Sequence, residues 1–163
     1  MDFYILFEYN SKMTLDNTDR KILNILQDNA RMSNADLAEA INLSPSACLR
    51  RVRQMESNGI INGYALLMDQ VAIGKPTSVF VEVTLQDQSE ESLESFEKAI
   101  KNYSDVMECY LMSGDADYLL RVVAADASDF ERIHKLLGKL PKLSRTRSNF
   151  VLRTVNNRQK IKV

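Results

Sequence analysis

The stretch from Asn34 to Met55 constrains the fold of this 163-residue chain more than any other. Leu37, Ala38 and Ile41 recur at helical spacing, and Asn42-Leu43 breaks that pattern. Ser44 then offers a side chain to cap a new helix. Pro45 takes its first position, where a missing N–H leaves no helical bond unmade. Cys48, Leu49, Val52 and Met55 recur at three- and four-residue steps and are expected to form the buried side of this second helix. Two short helices joined by a tight turn result.

The opposite side of the second helix carries the chemistry. Ser46, Arg50 and Gln54 are spaced four apart, and at about 100° per residue they sit opposite Val52. Such a row can reach base edges, because Arg suits guanine and Gln suits adenine. The flanking Arg51 and Arg53 can reach phosphates. Ser44, Ser46, Ala47, Arg50, Arg51, Arg53 and Gln54 are therefore the candidate DNA contacts. The competing reading is an ordinary amphipathic helix with a solvated charged face.

An apolar fraction of 45% allows a sizeable core in one or two small domains. The two cysteines, Cys48 and Cys109, lie in apolar-patterned stretches. They read as buried free thiols in a reducing cytoplasm, not as a disulfide. No apolar run approaches membrane-spanning length. A net charge of -1 gives nucleic-acid binding no support, but the charges are unevenly spread. Glu82 to Glu97 holds six acidic residues and no basic one, whereas Lys142 to Val163 holds seven basic residues and no acidic one. These opposite stretches can pair between subunits. The basic one can also track DNA phosphates, or be a solvated tail.

In chain order, residues 1–12 are aromatic and β-prone, without the charged n-region and small-residue cleavage site of a signal peptide. They read as an extension, or an artificial remnant of cloning, ahead of a start at Met13, adding an extended segment to a neighbour's surface if ordered. Asp16 to Asn29 is expected to be a first helix with Ile22, Leu23, Ile25 and Leu26 inside, and Gly59 to close the third. A turn at Ile60 to Tyr64 is expected to lead into a strand at Ala65 to Met68, which makes residues 13–68 a winged helix-turn-helix domain. From Met13 to Met68 there are six acidic and six basic residues, so any DNA affinity rests on local placement and dimer symmetry. Residues 69–76 read as a linker punctuated by Gly74 and Pro76.

Beyond it the pattern changes. Thr77 to Leu85 alternates as a strand, with Val79, Val81, Val83 and Leu85 on one face. A helix is expected at Ser89 to Lys101, strands at Val106 to Ser113 and Tyr118 to Ala124, a helix at Ser128 to Leu140, and a strand at Arg145 to Arg153. Strand–helix–strand, repeated, is the βαββαβ ferredoxin-like pattern, assigned to residues 77–163. The fold class is α+β: a winged helix-turn-helix domain, then a ferredoxin-like domain. The sheet's second face, holding Phe80, is expected to be apolar in places and to seek another subunit.

The residues that carry this reading also carry a resemblance. They run from Leu15-Asp16 and Asp19 to Leu23 through Ser33 to Ala38, Leu43 to Arg53 and Gly59 to Tyr64. They continue at Glu108 to Leu120 and Thr146-Arg147-Ser148. With these motifs in this order, the chain resembles the Lrp/AsnC family of feast/famine transcription regulators from about Leu15 onward. The resemblance implies dimers through the C-terminal domain, assembly into octamers, an amino-acid effector bound between neighbouring dimers, DNA wrapping or bending, and both activation and repression. Leucine or methionine is the effector it points to.

A free amino acid presents an ammonium, which needs acceptors, and a carboxylate, which needs donors. The turn Ser113-Gly114-Asp115-Ala116-Asp117-Tyr118 offers both: Asp115 and Asp117 as acceptors, and backbone N–H groups made approachable at Gly114. Leu111 or Tyr118 can supply an apolar wall, while Thr146 and Ser148 match family positions near the pocket. The candidate effector residues are thus Leu111, Ser113, Gly114, Asp115, Asp117, Tyr118, Thr146 and Ser148. A plain hairpin turn is the competing reading, since Gly and Asp are ordinary turn residues.

The chain has a single histidine, His134, and no credible zinc set, phosphate loop or nucleophile elbow. No metal, organic cofactor or catalytic residue is expected. An amino-acid-responsive DNA-binding regulator in the cytoplasm is the first reading. An architectural DNA-wrapping protein without effector is the second. A haem-precursor decarboxylase-like enzyme is the third, and one histidine argues against it.

Overall fold

The structure is a computed structural model describing residues 14–158 and 160–163. The expectations for residues 1–12 lie outside the described residues. The described residues divide into two compact units, 14–66 with the C-terminal stretch from Asn156, and Leu67–Val155. The last eight residues, expected within the second domain, thus group with the first unit.

The first unit is built on three helices: α1 (Asn17–Asp28), α2 (Asn34–Ala40) and α3 (Pro45–Ser57). Each starts where a short polar side chain meets otherwise unpaired N–H groups. Asp16 accepts from the Asp19 N–H while Asp19 reaches back to the Asp16 N–H, a reciprocal cap. Ser33 caps α2 through the Asp36 N–H, and Ser44 caps α3 through the Ala47 N–H. Between α2 and α3, Asn42 takes a left-handed φ of 56°, a conformation that asparagine tolerates better than most residues. The Asn34 side chain donates to the Pro45 carbonyl at 2.9 Å and ties the two helix starts together. Gly59, at φ 70°, ends the α3 region as expected. Ile22, Leu37, Ala38, Cys48 and Met55 form the buried core, with Val52, Ile60 and Ile61 packed against it.

Two expectations change here. Leu49, placed on the buried side, is 37% exposed. The wing strand at Ala65 to Met68 is absent: residues 62–69 have no regular structure, and Leu66, Leu67 and Met68 are exposed. A strand needs a partner edge, and among the described residues none pairs with this segment.

The second unit contains β1 (Thr77–Leu85), α4 (Glu90–Ile100), β2 (Val106–Leu111), β3 (Tyr118–Ala124), α5 (Ala127–Leu137) and β4 (Leu143–Phe150). Its one sheet has the order β2-β3-β1-β4, antiparallel throughout. This is the βαββαβ arrangement. Val79, Val81, Val83 and Leu85 meet Tyr118, Leu120 and Val122 on one sheet face. Phe96 and Ile100 of α4 and Phe130, Ile133 and Leu137 of α5 cover them. Each such side chain contributes roughly 1.5–3 kcal/mol on burial. The other sheet face is more mixed than expected. Strand register places Phe80 and Leu119 on it, but also Glu82, Arg121, Arg145 and Arg147. Arg121 there pairs with Glu108 at 2.7 Å.

Cys48 is buried, but Cys109 is exposed, against the expectation of two buried thiols; both are free. Among the described residues no helix is long and apolar enough to cross a membrane.

A four-charge cluster ties the segment leading into β1 to α5. Lys75 donates to Asp129 at 2.9 Å, and Arg132 bridges Asp129 at 2.8 Å and Asp105 at 3.0 Å. The Ala125 N–H, Lys75 and Arg132 hold the Asp129 carboxyl well below the usual carboxylate range. A carboxylate depressed on folding stabilises above its unfolded value of about 3.9, and that stabilisation is lost as the pH falls below it. Asp129→Asn is expected to lower the melting temperature near neutrality. It should also narrow the gap between melting temperatures at about pH 7 and about pH 3, measured by circular dichroism.

Candidate DNA interface and effector site

Helix α3 is held by one side and bare on the other. Cys48 and Met55 are fully buried, and Val52 packs beside them. Ser46, Arg50, Arg53 and Gln54 are exposed, so the expected polar row faces solvent. Among the described residues Arg50 and Arg53 make no ion pair. Leu49 lies in the same exposed row, where an apolar side chain suits a thymine methyl group. Its place between Ser46 and Arg53 in the helical stripe was the sequence signal for it.

Of the seven candidate DNA contacts, two have other work and a third is partly covered. Ser44 caps the helix, with Ser46 Oγ 3.2 Å away. Ala47 is half-buried. Arg51, expected at phosphate, instead donates through one nitrogen to Asp16 and to Asp19, each at 2.8 Å. Asp19 is 2% exposed, so its charge needs a fixed partner, and a guanidinium from the next layer of helix supplies it. The Asp19 and Asp16 carboxylates push the Arg51 guanidinium further up. Arg51 thereby ties the start of α1 to the middle of α3. An open polar groove of about 420 Å³ lies between them, lined by Asp16, Asp19, Arg50, Arg51 and Gln54 among others.

The turn expected to bind an effector separates into two parts. Asp117 is buried and already paired: it accepts from the Leu85 N–H and from Gln88 Nε2, both at 2.7 Å. Tyr118 is also buried, its ring centroid 4.5 Å from that of Phe96 and its hydroxyl donating to Glu97 at 2.9 Å. Burial, then the Glu97 carboxylate, push its phenol up. Both residues anchor the turn to the core, Asp117 with each oxygen already accepting one bond and Tyr118 with its ring enclosed. Thr146 and Ser148 share the helix-covered face with Val83 and Val81, and the Thr146 hydroxyl lies 3.2 Å from His134 Nε2.

Ser113, Gly114 and Asp115 remain exposed, as does Leu111. Beside Asp115 lies a cavity of about 300 Å³, lined by Glu82, Thr84, Asp115, Ala116, Arg145, Thr146 and Arg147. Antiparallel register assembles it: Glu82 sits opposite Arg147 and Thr84 opposite Arg145. Two guanidiniums and two carboxylates therefore meet within one small space. Glu82, Thr84, Arg145 and Arg147 were missed in the sequence, because only the β1–β4 register brings them beside Asp115. Among the described residues no group of three or more His, Cys, Asp or Glu side chains is placed to hold a metal ion.

Two stability measurements separate these roles. Asp117→Ala is expected to cost about 1–3 kcal/mol, because the buried Leu85 N–H loses its acceptor. Asp115→Ala, which breaks no such bond, should stay within about 0.5 kcal/mol of the parent. Urea titration measures both.

Residues 15–62 match the winged helix-turn-helix DNA-binding family, and residues 78–161 match the Lrp/AsnC ligand binding domain family. The leucine-responsive regulatory protein of Haemophilus influenzae is 40% identical over 152 residues, 91% of this chain and 90% of its own length. The crystal structure of an AsnC family transcriptional regulator from Agrobacterium tumefaciens superposes with a TM-score of 0.85 at 34% identity, over 90% of this chain and 96% of that one. A transcriptional regulator from Neisseria meningitidis, solved as its complex with L-methionine, superposes with a TM-score of 0.84 at 32% identity, over 91% of this chain and 96% of that one. With both domain types in the same order as in such relatives, this chain belongs to the Lrp/AsnC family of transcription regulators, DNA-binding proteins and not enzymes.

Proposed function

We propose that this chain regulates transcription in the cytoplasm by reading duplex DNA with α3 and responding to a free amino acid. The exposed Ser46–Arg50–Gln54 row above a buried Cys48 and Met55 is the observation that carries the DNA reading. Arg50 and Gln54 are the base-reading side chains, and Arg53 meets phosphate. Arg51 serves by holding the helix in place.

The effector reading rests on charge. A zwitterion fits a cavity that sets Arg145 and Arg147 near Glu82 and Asp115. Arginine takes the carboxylate, and Asp115 with Glu82 takes the ammonium. Leucine and methionine are the effectors to test first. One relative is named for leucine, and another was solved with L-methionine. Self-association through the open face of the second unit's sheet, into dimers and then octamers, is part of the same reading. It is supported by the exposed Tyr110 and the half-buried Phe80 and Leu119 there.

Two experiments test this. Arg50→Ala is expected to weaken binding to a selected operator by about 1–3 kcal/mol and to mixed-sequence DNA by less. Equal loss on both reduces Arg50 to a phosphate contact. Titration with a panel of amino acids should raise the melting temperature with leucine or methionine, and Asp115→Ala should remove that rise. A melting temperature indifferent to every amino acid would favour an architectural protein without effector.

A further inference from the structure

The helical part of the first unit has no excess of positive charge. Residues 14–66 carry six acidic and six basic side chains. Yet DNA affinity comes largely from cations that displace counterions at phosphates. The structure returns basic residues to this unit from the far end of the chain.

Residues 156–163 group with the three helices and seat on the end of α1. The Gln27 side chain grips the backbone of Ile161 at two points: its Nε2 donates to the Ile161 carbonyl at 3.0 Å, and its Oε1 accepts from the Ile161 N–H at 2.7 Å. A side-chain amide used this way imitates a neighbouring strand, so it fixes the segment without depending on which side chain residue 161 carries. Beside it, Lys160 donates to both oxygens of Asp28, at 2.7 and 2.6 Å. That pair masks an acidic side chain that would repel phosphate. With this segment in place, the unit's residues 14–66 and 156–163 carry nine basic and six acidic side chains. Arg158 and Lys162 flank the anchored pair. Both are exposed, and among the described residues neither meets a carboxylate.

We infer that residues 156–163 form a phosphate-binding arm of the DNA-binding unit, anchored by Gln27 and Asp28 and contacting the duplex backbone through Arg158 and Lys162. This deepens the DNA-binding reading above and rests on it. The arm adds affinity without sequence preference, because phosphates carry no base identity. Docking lowers the cost of ordering these two cations at the duplex, since Lys160 and Ile161 beside them are already held.

The full-length double variant Arg158→Ala/Lys162→Ala tests it, with fluorescence anisotropy on a labelled mixed-sequence duplex across a series of potassium chloride concentrations. The slope of log affinity against log salt is expected to become shallower by about two per bound unit, with the melting temperature unchanged. The preference for operator over mixed sequence should also stay as it was. A second variant, Gln27→Ala, should weaken binding to the same duplex by loosening the arm, although Arg158 and Lys162 are still present in the chain. An unchanged slope in the double variant overturns the arm. So does an unchanged slope accompanied by a smaller sedimentation coefficient, which would make the segment a subunit contact. Failure of the parent protein to bind any duplex overturns the DNA reading itself and is thereby distinguished from failure of the arm alone.

Discussion

The burial of Cys48 and Met55 against Ile22 and Leu37 is the constraint on which the first unit depends. Both are fully enclosed, and they lie two turns apart on one side of α3. Burying a methionine gains roughly 1.5–3 kcal/mol, so α3 cannot rotate about its axis without losing it. The orientation of Ser46, Arg50 and Gln54 follows from what is hidden beneath them. A core of this size is small, and small domains are marginal. The pairing of Arg51 with Asp16 and Asp19 adds a second constraint, acting along the helix where the apolar contacts act across it. Removing the arginine would leave Asp19 charged and enclosed, which is costlier than the pair itself is stabilising.

The second unit rests on alternation. In β1 every second residue is an apolar side chain committed to the helices, and the intervening ones are free to be polar. Glu82 and Thr84 are such intervening residues, and β4 sets Arg147 and Arg145 opposite them. The cavity is thus a by-product of register: the contacts that form the core also decide which charges become neighbours. A one-residue slip would move the arginines onto the covered face, where they have no partners. Asp117 guards against slippage, since it binds the Leu85 N–H at the end of β1 while its own N–H donates to the Val83 carbonyl.

What was legible in the sequence was local. The cap at Ser44, the proline that opens α3, Gly59 and the alternation of β1 each depend on a few adjacent residues, and each is where the pattern placed it. What was not legible depends on partners far along the chain. Nothing near Arg51 announces a bond to residues 32 and 35 positions earlier. Asp115 and Asp117 look alike as turn residues, and only the position of Leu85 and Gln88 makes one of them an anchor. The wing strand was expected because a turn at Ile60 to Tyr64 follows the three helices, but a segment without a partner edge forms none. Cys109 was assigned inward by the apolar pattern around it, and β2 lies at a sheet edge where accessibility is decided by what covers it.

Charge placement ties these observations to discrimination between DNA sites. A strongly basic unit binds every sequence and must find its operator against a genome of competitors. In residues 14–66 acidic and basic side chains cancel, and three of the six cations there lie on α3, one of them spent on Asp16 and Asp19. Two arginines on that helix, Arg50 and Arg53, are exposed and make no ion pair among the described residues. On the proposed reading, base contacts by Arg50 and Gln54 then account for a larger share of the total, which favours the ratio of specific to non-specific binding. Affinity without preference is assigned elsewhere, to Arg158 and Lys162 on a segment that α1 holds by its backbone. Separating the two terms lets sequence preference change at α3 while the arm changes only the salt-dependent affinity, to which Arg53 also adds.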